Sequence, residues 1–159
     1  MEERSKASGE EIRERIRAAG GDILDSERFQ RGWKIRHHNT NVAQHSLRVA
    51  AAGIRLCDML RKKGFEPDER EVVRACLLHD IGMTEETVHG KVAWKKAYEH
   101  PRESARIAVE EYGATEDMKN AILWHMWPIC VKPPGRLTGW IVVTADKIAT
   151  SQDLRKKEI

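Results

Sequence analysis

Nothing in this sequence alternates apolar and polar residues with the period of two that a half-buried strand requires; its apolar residues recur instead at i, i+3, i+4 and i+7. Glycines and prolines fall between the segments so marked, and the pattern predicts an all-α chain. The one ambiguous stretch, Trp140 to Val143, is placed in a helix by its length and surroundings. Ser8 with Glu11, Asn41 with Gln44 and Asp68 with Glu71 read as capping boxes that open three helices. The first should stop at Gly20 and Gly21, the second and longest should run to Lys63 ahead of Gly64, and the third should end near His79 and Asp80 because Gly82 follows. The segment from Asp22 to Asn39 is less regular. Pro101 is a favourable first helical residue, so a helix is predicted to open at His100 and reach Tyr112. Thr115 opens another that ends by Trp127, since Pro128 cannot continue it; residues 132–135 form a loop, and a last helix spans Leu137 to Leu154.

The expected fold is therefore a single compact bundle of about six to seven helices, with residues 1–30 as an N-terminal helical extension and 31–159 as one globular unit. Apolar residues at 40% and charged residues at 33% are globular proportions. No apolar run approaches the roughly 20 residues of a bilayer span, so no membrane partner is expected. The opening residues MEERSKASGEE lack the apolar core of a secretory signal, which implies a cytoplasmic address. Cys57, Cys76 and Cys130 are odd in number and widely spaced, as reduced core thiols would be. Basic and acidic residues, 28 against 25, are too evenly mixed for a dedicated nucleic-acid binder. A homodimer is compatible with the sequence and not demanded by it.

The histidines fall where core residues belong. His45 is in register with Val42, Val49, Ala52 and Leu56; His79 follows Val72, Ala75 and Cys76; His125 follows Met118, Ala121 and Ile122. Asp146 shares a face with Val142, Val143 and Ala149, and His100 sits above Ser104, Ile107 and Ala108. One histidine on an apolar stripe is ordinarily a hydrogen-bonded core residue. Five helices that each bury an imidazole or a carboxylate make a poor core and a good metal site, because a buried carboxylate needs a cation or a hydrogen-bond network to offset its desolvation.

Imidazole plus carboxylate without thiolate suits Mn, Fe, Co, Ni or Zn in an open catalytic site, with Mg also admitted. Adjacent His79 and Asp80 at a helix end can direct one ligand to each side, and a carboxylate can bridge two ions about 3.5 to 4 Å apart. Two divalent ions, metal-bound hydroxide as nucleophile and Asp80 as the catalytic carboxylate that orients it make up the expected chemistry, which is phosphoester hydrolysis.

VAQHSLRVA around His45, LLHDIG around His79 and Asp80, and VTADKIA around Asp146 together resemble the HD-domain superfamily, whose skeleton is H…HD…D, over roughly residues 35–155. The resemblance implies a helical metal-dependent phosphohydrolase with His45, His79, Asp80 and Asp146 as ligands. HPRESARIA and ILWHMWP look like the additional ligands of binuclear members, which adds His100 and His125. Met83 follows HDIG where members that cleave cyclic dinucleotides commonly carry lysine, and HMWPICVKPP stands where they carry DG.GYP. The layout is closer to small HD hydrolases that split dinucleoside polyphosphates, and to HD proteins carrying HMWP. GWKIRHHNTNVAQHS is also similar to the start of the mononuclear 5′-deoxynucleotidase branch. A di-iron oxygenase of HD type would use the same six ligands and differ by needing iron and dioxygen.

A small phosphorylated, nucleotide-like substrate is accordingly expected. Arg36, His37 and His38 precede the first ligand and Arg48 lies one turn beyond it; Arg36, His38 and Arg48 are the candidate phosphate contacts. Lys147, next to Asp146, points off the ligand face, and Trp124, Trp127 and Trp140 are candidates either for stacking a base or for packing.

Overall fold

The computed structural model describes residues 7–37, 39–84 and 93–155, and for residues 93–98 the backbone alone. Within these stretches seven α-helices form: α1 (Gly9–Leu24), α2 (Glu27–Arg31), α3 (Val42–Lys62), α4 (Glu69–Leu78), α5 (Ala93–Tyr112), α6 (Glu116–Leu123) and α7 (Leu137–Arg155). The all-α expectation holds, and the capping residues act where the sequence places them. Ser8 accepts from the Glu11 amide at 3.1 Å, Asn41 from Gln44 at 2.8 Å, Asp68 from Glu71 at 3.1 Å and Thr115 from Met118 at 3.2 Å. Each satisfies one of the amides that a helix start leaves without an intrahelical partner.

Four boundaries differ from the sequence reading. Helix α1 passes through Gly20 and Gly21 to Leu24, with non-helical angles at Gly20 (φ −135°, ψ 24°). Burial of Ile23 and Leu24 in the core outweighs the modest preference of glycine against a helix interior. The irregular segment holds α2, capped by Ser26, a 3-10 turn (Gly32–Lys34) and a short antiparallel ribbon of β1 (Arg36–His37) and β2 (Thr40–Asn41). Helix α5 begins at Ala93, so Pro101 lies inside it rather than at its start. Proline removes one amide donor there, and the helix on its C-terminal side is held by buried Ser104, Ala105, Ile107 and Ala108. Helix α6 ends at Leu123, and the chain turns through residues 124–129, leaving His125 beyond the helix.

Helix α3 is the longest of the described helices at 21 residues and packs mainly on α4 and α7. One hydrophobic core runs through Val49, Ile54, Val72, Leu77, Ile107, Ile122 and Val142, and it includes Ile12, Ile16, Ile23 and Leu24 of α1. Truncating a side chain such as Leu77 to alanine should cost about 2–5 kcal/mol. Helix α1 lies so close to α4 that a Cβ on Gly20 would sit 2.5 Å from Cδ1 of Leu77. Arg74 of α4 fastens the same junction, donating to Asp22 at 2.6 and 3.0 Å and to the carbonyls of Ala19 and Tyr112 at 3.1 and 3.2 Å. No helix among the described residues is long and apolar enough to cross a membrane.

Candidate metal centre

The six histidines and aspartates that the sequence singles out converge. His45 comes from α3, His79 and Asp80 from the turn after α4, His100 from α5, His125 from the turn after α6 and Asp146 from α7. Asp80 is their hub. Its Oδ1 lies 3.1 Å from His100 Nε2 and 3.4 Å from His125 Nε2, whereas its Oδ2 lies 3.0 Å from His79 Nε2 and 3.8 Å from His45 Nε2. Asp146 Oδ1 closes the second group at 2.9 Å from His45 Nε2 and 3.5 Å from His79 Nε2.

The rings are turned inward by bonds on their far sides. Nδ1 of His79 donates to the Cys76 carbonyl at 2.6 Å, and Nδ1 of His125 donates to the Ile122 carbonyl at 2.7 Å. Both carbonyls lie three residues earlier at the end of a helix, where backbone acceptors lack intrahelical donors, so each helix end fixes its own histidine. Nδ1 of His45 faces Asp153 Oδ2 at 2.7 Å instead. In each case Nε2 is left facing the carboxylates, as a metal-binding imidazole requires.

Electrostatics follow from burial and pairing. Burial alone would lower the pKa of His45, but its hydrogen bonds to Asp146 and Asp153 bring it up to about 9. Burial likewise opposes protonation of His79, and the charge of Asp80 with the nearby Asp146 raises it. The carboxyls of Asp80 and Asp146 are held well below the usual range against the effect of burial, chiefly by the charge of His79 for the first and by the hydrogen bond from His45 together with the nearby His79 for the second. Burial depresses His125. Protons and positive charge thus crowd between carboxylates in the way that a cation would.

The residues fit a divalent ion. His79 Nε2 and Asp80 Oδ1 are buried without a well-directed hydrogen bond, which is costly for polar atoms unless something else meets them. Three overlapping sets, His45 with His79 and Asp146, His79 with Asp80 and His125, and His37 with His45 and Asp80, each bring their donor atoms within 4.8 Å of one another. All donors are nitrogen or oxygen, which matches borderline and hard ions.

The candidate phosphate contacts are placed less uniformly. Arg36 is exposed on β1, and His38 lies outside the described residues. Arg48 pairs with Asp153, because a carboxylate only 1% exposed needs a cationic partner. Lys147 is exposed and donates to the Trp127 carbonyl at 2.7 Å. Trp127 meets the half-exposed Trp140 edge to face at 5.1 Å, while Lys132 lies over Trp124 at 4.8 Å. Two members of the cluster escape the sequence reading: Asp153, and His37 as a group facing Asp80 rather than a substrate. Asp153 had a readable signal, since it lies seven residues after Asp146 on the same helical face. His37 had none, because residues 22–39 carry no helical period.

The HD domain family model matches residues 42–150, a span that begins just after the helix cap at Asn41 and includes all six converging residues. No curated protein and no solved structure matches the chain. With well over half of its length matched and the H…HD…D residues gathered in one cluster, this chain belongs to the HD-domain family and so to a superfamily of metal-dependent hydrolases.

Proposed function

We propose that this protein is a metal-dependent phosphohydrolase that opens a phosphoester or phosphoanhydride bond of a nucleotide-like substrate. The observation that carries the reading is Asp80, whose two oxygens face two different groups of histidines, His100 and His125 on one side and His79 and His45 on the other. A carboxylate shared in this way suits two ions held side by side. His45, His79, Asp80, His100, His125 and Asp146 are the proposed ligands, and divalent ions held there supply charge neutralisation for a phosphoryl group and an activated water.

The chain itself contributes position and enclosure. His79 and His125 are kept inward by backbone carbonyls, and His45 by Asp153. His45, His79, Asp80 and His125 are themselves no more than 2% exposed, so bulk water is kept from their donor atoms. A dry site strengthens the electrostatic effect of each fixed group. Arg36 offers an exposed guanidinium on the solvent face of β1 and, with His38, is the proposed contact for a phosphate at the rim of the site rather than at the donor atoms. Arg48 acts through Asp153 and so bears on substrate indirectly.

Purified protein loaded with Mn should release phosphate or a nucleotide product from a panel of nucleotides, cyclic nucleotides and dinucleoside polyphosphates, equally with and without dioxygen. Turnover of an unphosphorylated substrate only in the presence of dioxygen, with no product from any phosphorylated compound, would assign the centre to oxygenase chemistry instead.

A further inference from the structure

We propose that His37 is a seventh metal donor at this centre, supplied by the β1–β2 ribbon from outside the span that the family model covers. The proposal rests on the metal-site reading above and adds a ligand to it. His37 Nε2 lies 3.6 Å from Asp80 Oδ2, and its ring centroid lies 4.4 Å from that of His45 at an interplanar angle of 58°. The donor atoms of His37, His45 and Asp80 all lie within 4.8 Å of one another. Bonds of about 2.0 to 2.2 Å allow two ligands of one ion to stand up to about 4.4 Å apart, so both measured separations from Asp80, 3.6 Å for His37 and 3.8 Å for His45, fall inside that reach.

The local fold explains why the ring faces inward. His37 pairs with Thr40 and Arg36 with Asn41, and the Val42 amide donates to the Ile35 carbonyl at 2.9 Å, so the ribbon is closed directly onto the start of α3. Asn41 at the base of the ribbon is also the cap of the helix that carries His45 one turn later. Successive strand residues point to opposite faces. Arg36 takes the solvent face and His37 the other, where its side chain is 14% exposed. The ribbon thereby fixes one imidazole against another, beside the oxygen of Asp80 that also faces His79.

A further imidazole biases a site toward borderline ions such as Co, Ni and Zn over Mg. Apo wild type, His37→Gln and His37→Ala are therefore titrated with cobalt and with magnesium by calorimetry, with the visible cobalt spectrum recorded at saturation and apo melting as a check of the fold. Loss of the ligand should weaken cobalt binding by about tenfold or more, alter the visible bands and move magnesium binding much less. Cobalt affinity within twofold of wild type in both variants, with an unchanged spectrum, overturns the proposal. Wild type that binds no cobalt overturns the metal reading itself, and with it this one, before any variant is compared. Should either variant melt lower, free imidazole is added to His37→Ala: recovery of the wild-type cobalt spectrum supports ligation, while failure to recover alongside lost binding assigns His37 to the fold alone.

Discussion

Asp153 holds Nδ1 of His45 at 2.7 Å while Asp146 faces Nε2 of the same ring at 2.9 Å, so one imidazole is clamped between two carboxylates that sit two turns apart on α7. Asp153 is itself fixed by Arg48, and its carbonyl accepts from Asn39 Nδ2 at 3.3 Å. Carboxylates on the far nitrogen orient a metal-binding histidine and raise its basicity, and their loss typically lowers metal affinity by about 10–100-fold. Asp153→Ala should show a loss of that size by calorimetry. Asp153→Asn, which keeps an oxygen for the Nδ1 proton, should fall between the two. Unchanged affinity in Asp153→Ala would remove Asp153 from the working of the centre.

Among the described residues, Asp80 is the one whose two oxygens reach both groups of histidines. Asp80→Ala should therefore lower metal stoichiometry as well as turnover. Phosphate release should fall by at least about 100-fold, given that bridge and charge are lost together. Helix content measured by circular dichroism should stay near that of wild type, since α3, α4 and α7 pack through aliphatic side chains. Activity within a few fold of wild type would show that Asp80 is dispensable.

Much of this arrangement is legible in the residues because helical periodicity converts spacing into direction. His45, His79, His125 and Asp146 each stand in register with aliphatic neighbours, and each is found among the inward-facing groups. Pro101 predicts a helix start at His100, which lies instead inside α5, yet its side follows from Ser104, Ile107 and Ala108 and is the inward one. A proline marks a favourable start without forbidding the helix to begin earlier. Asp153 was readable by the same rule that found Asp146, and pairing with Arg48 hides it from a reading that treats arginine near a ligand as a phosphate contact. His37 lies where no helical period applies, and only the ribbon's register decides which way it turns.

Gly82 tests the fit between the turn that carries Asp80 and the helix that carries His100. Its amide donates to Ser104 Oγ at 2.9 Å, and a Cβ at this position would lie 2.8 Å from the backbone nitrogen of Ser104. Backbone cannot swing aside as a side-chain tip can, so Gly82→Ala should push α5 from the turn. Overpacking of this kind costs about 1–3 kcal/mol. Melting should fall by about 3–10 °C for a chain of this size. Metal affinity should fall with it, because His100 and Asp80 are separated by the same displacement. A variant as stable as wild type would mean that the turn and α5 adjust independently.

Acid should loosen the junction of α1 with the rest of the bundle, through carboxylates that are not part of the candidate metal centre. The guanidinium of Arg74 holds Asp22 below its ordinary value, and Arg15 does the same for Asp58. Glu69 is also lowered, because hydrogen bonds from Arg15 and Arg61 overcome the opposing effect of its burial. A carboxylate whose folded value is depressed contributes stability that is present above its unfolded value and is lost as pH falls through the folded one. With unfolded values of 3.8 for aspartate and 4.5 for glutamate, the loss belongs below about pH 4.5 and is negligible between pH 6 and 8. Asp22 and Asp58 are too open to solvent for large individual effects. Arg74→Met separates the contributions: it leaves the Ala19 and Tyr112 carbonyls without their donor as well as breaking the pair with Asp22, and should cost about 1–3 kcal/mol at pH 7. Its melting temperature should then drop less than that of wild type between pH 6 and pH 3, because one of the acid-sensitive pairs is already gone. Parallel pH profiles for variant and wild type would show that Asp22 contributes nothing to acid unfolding.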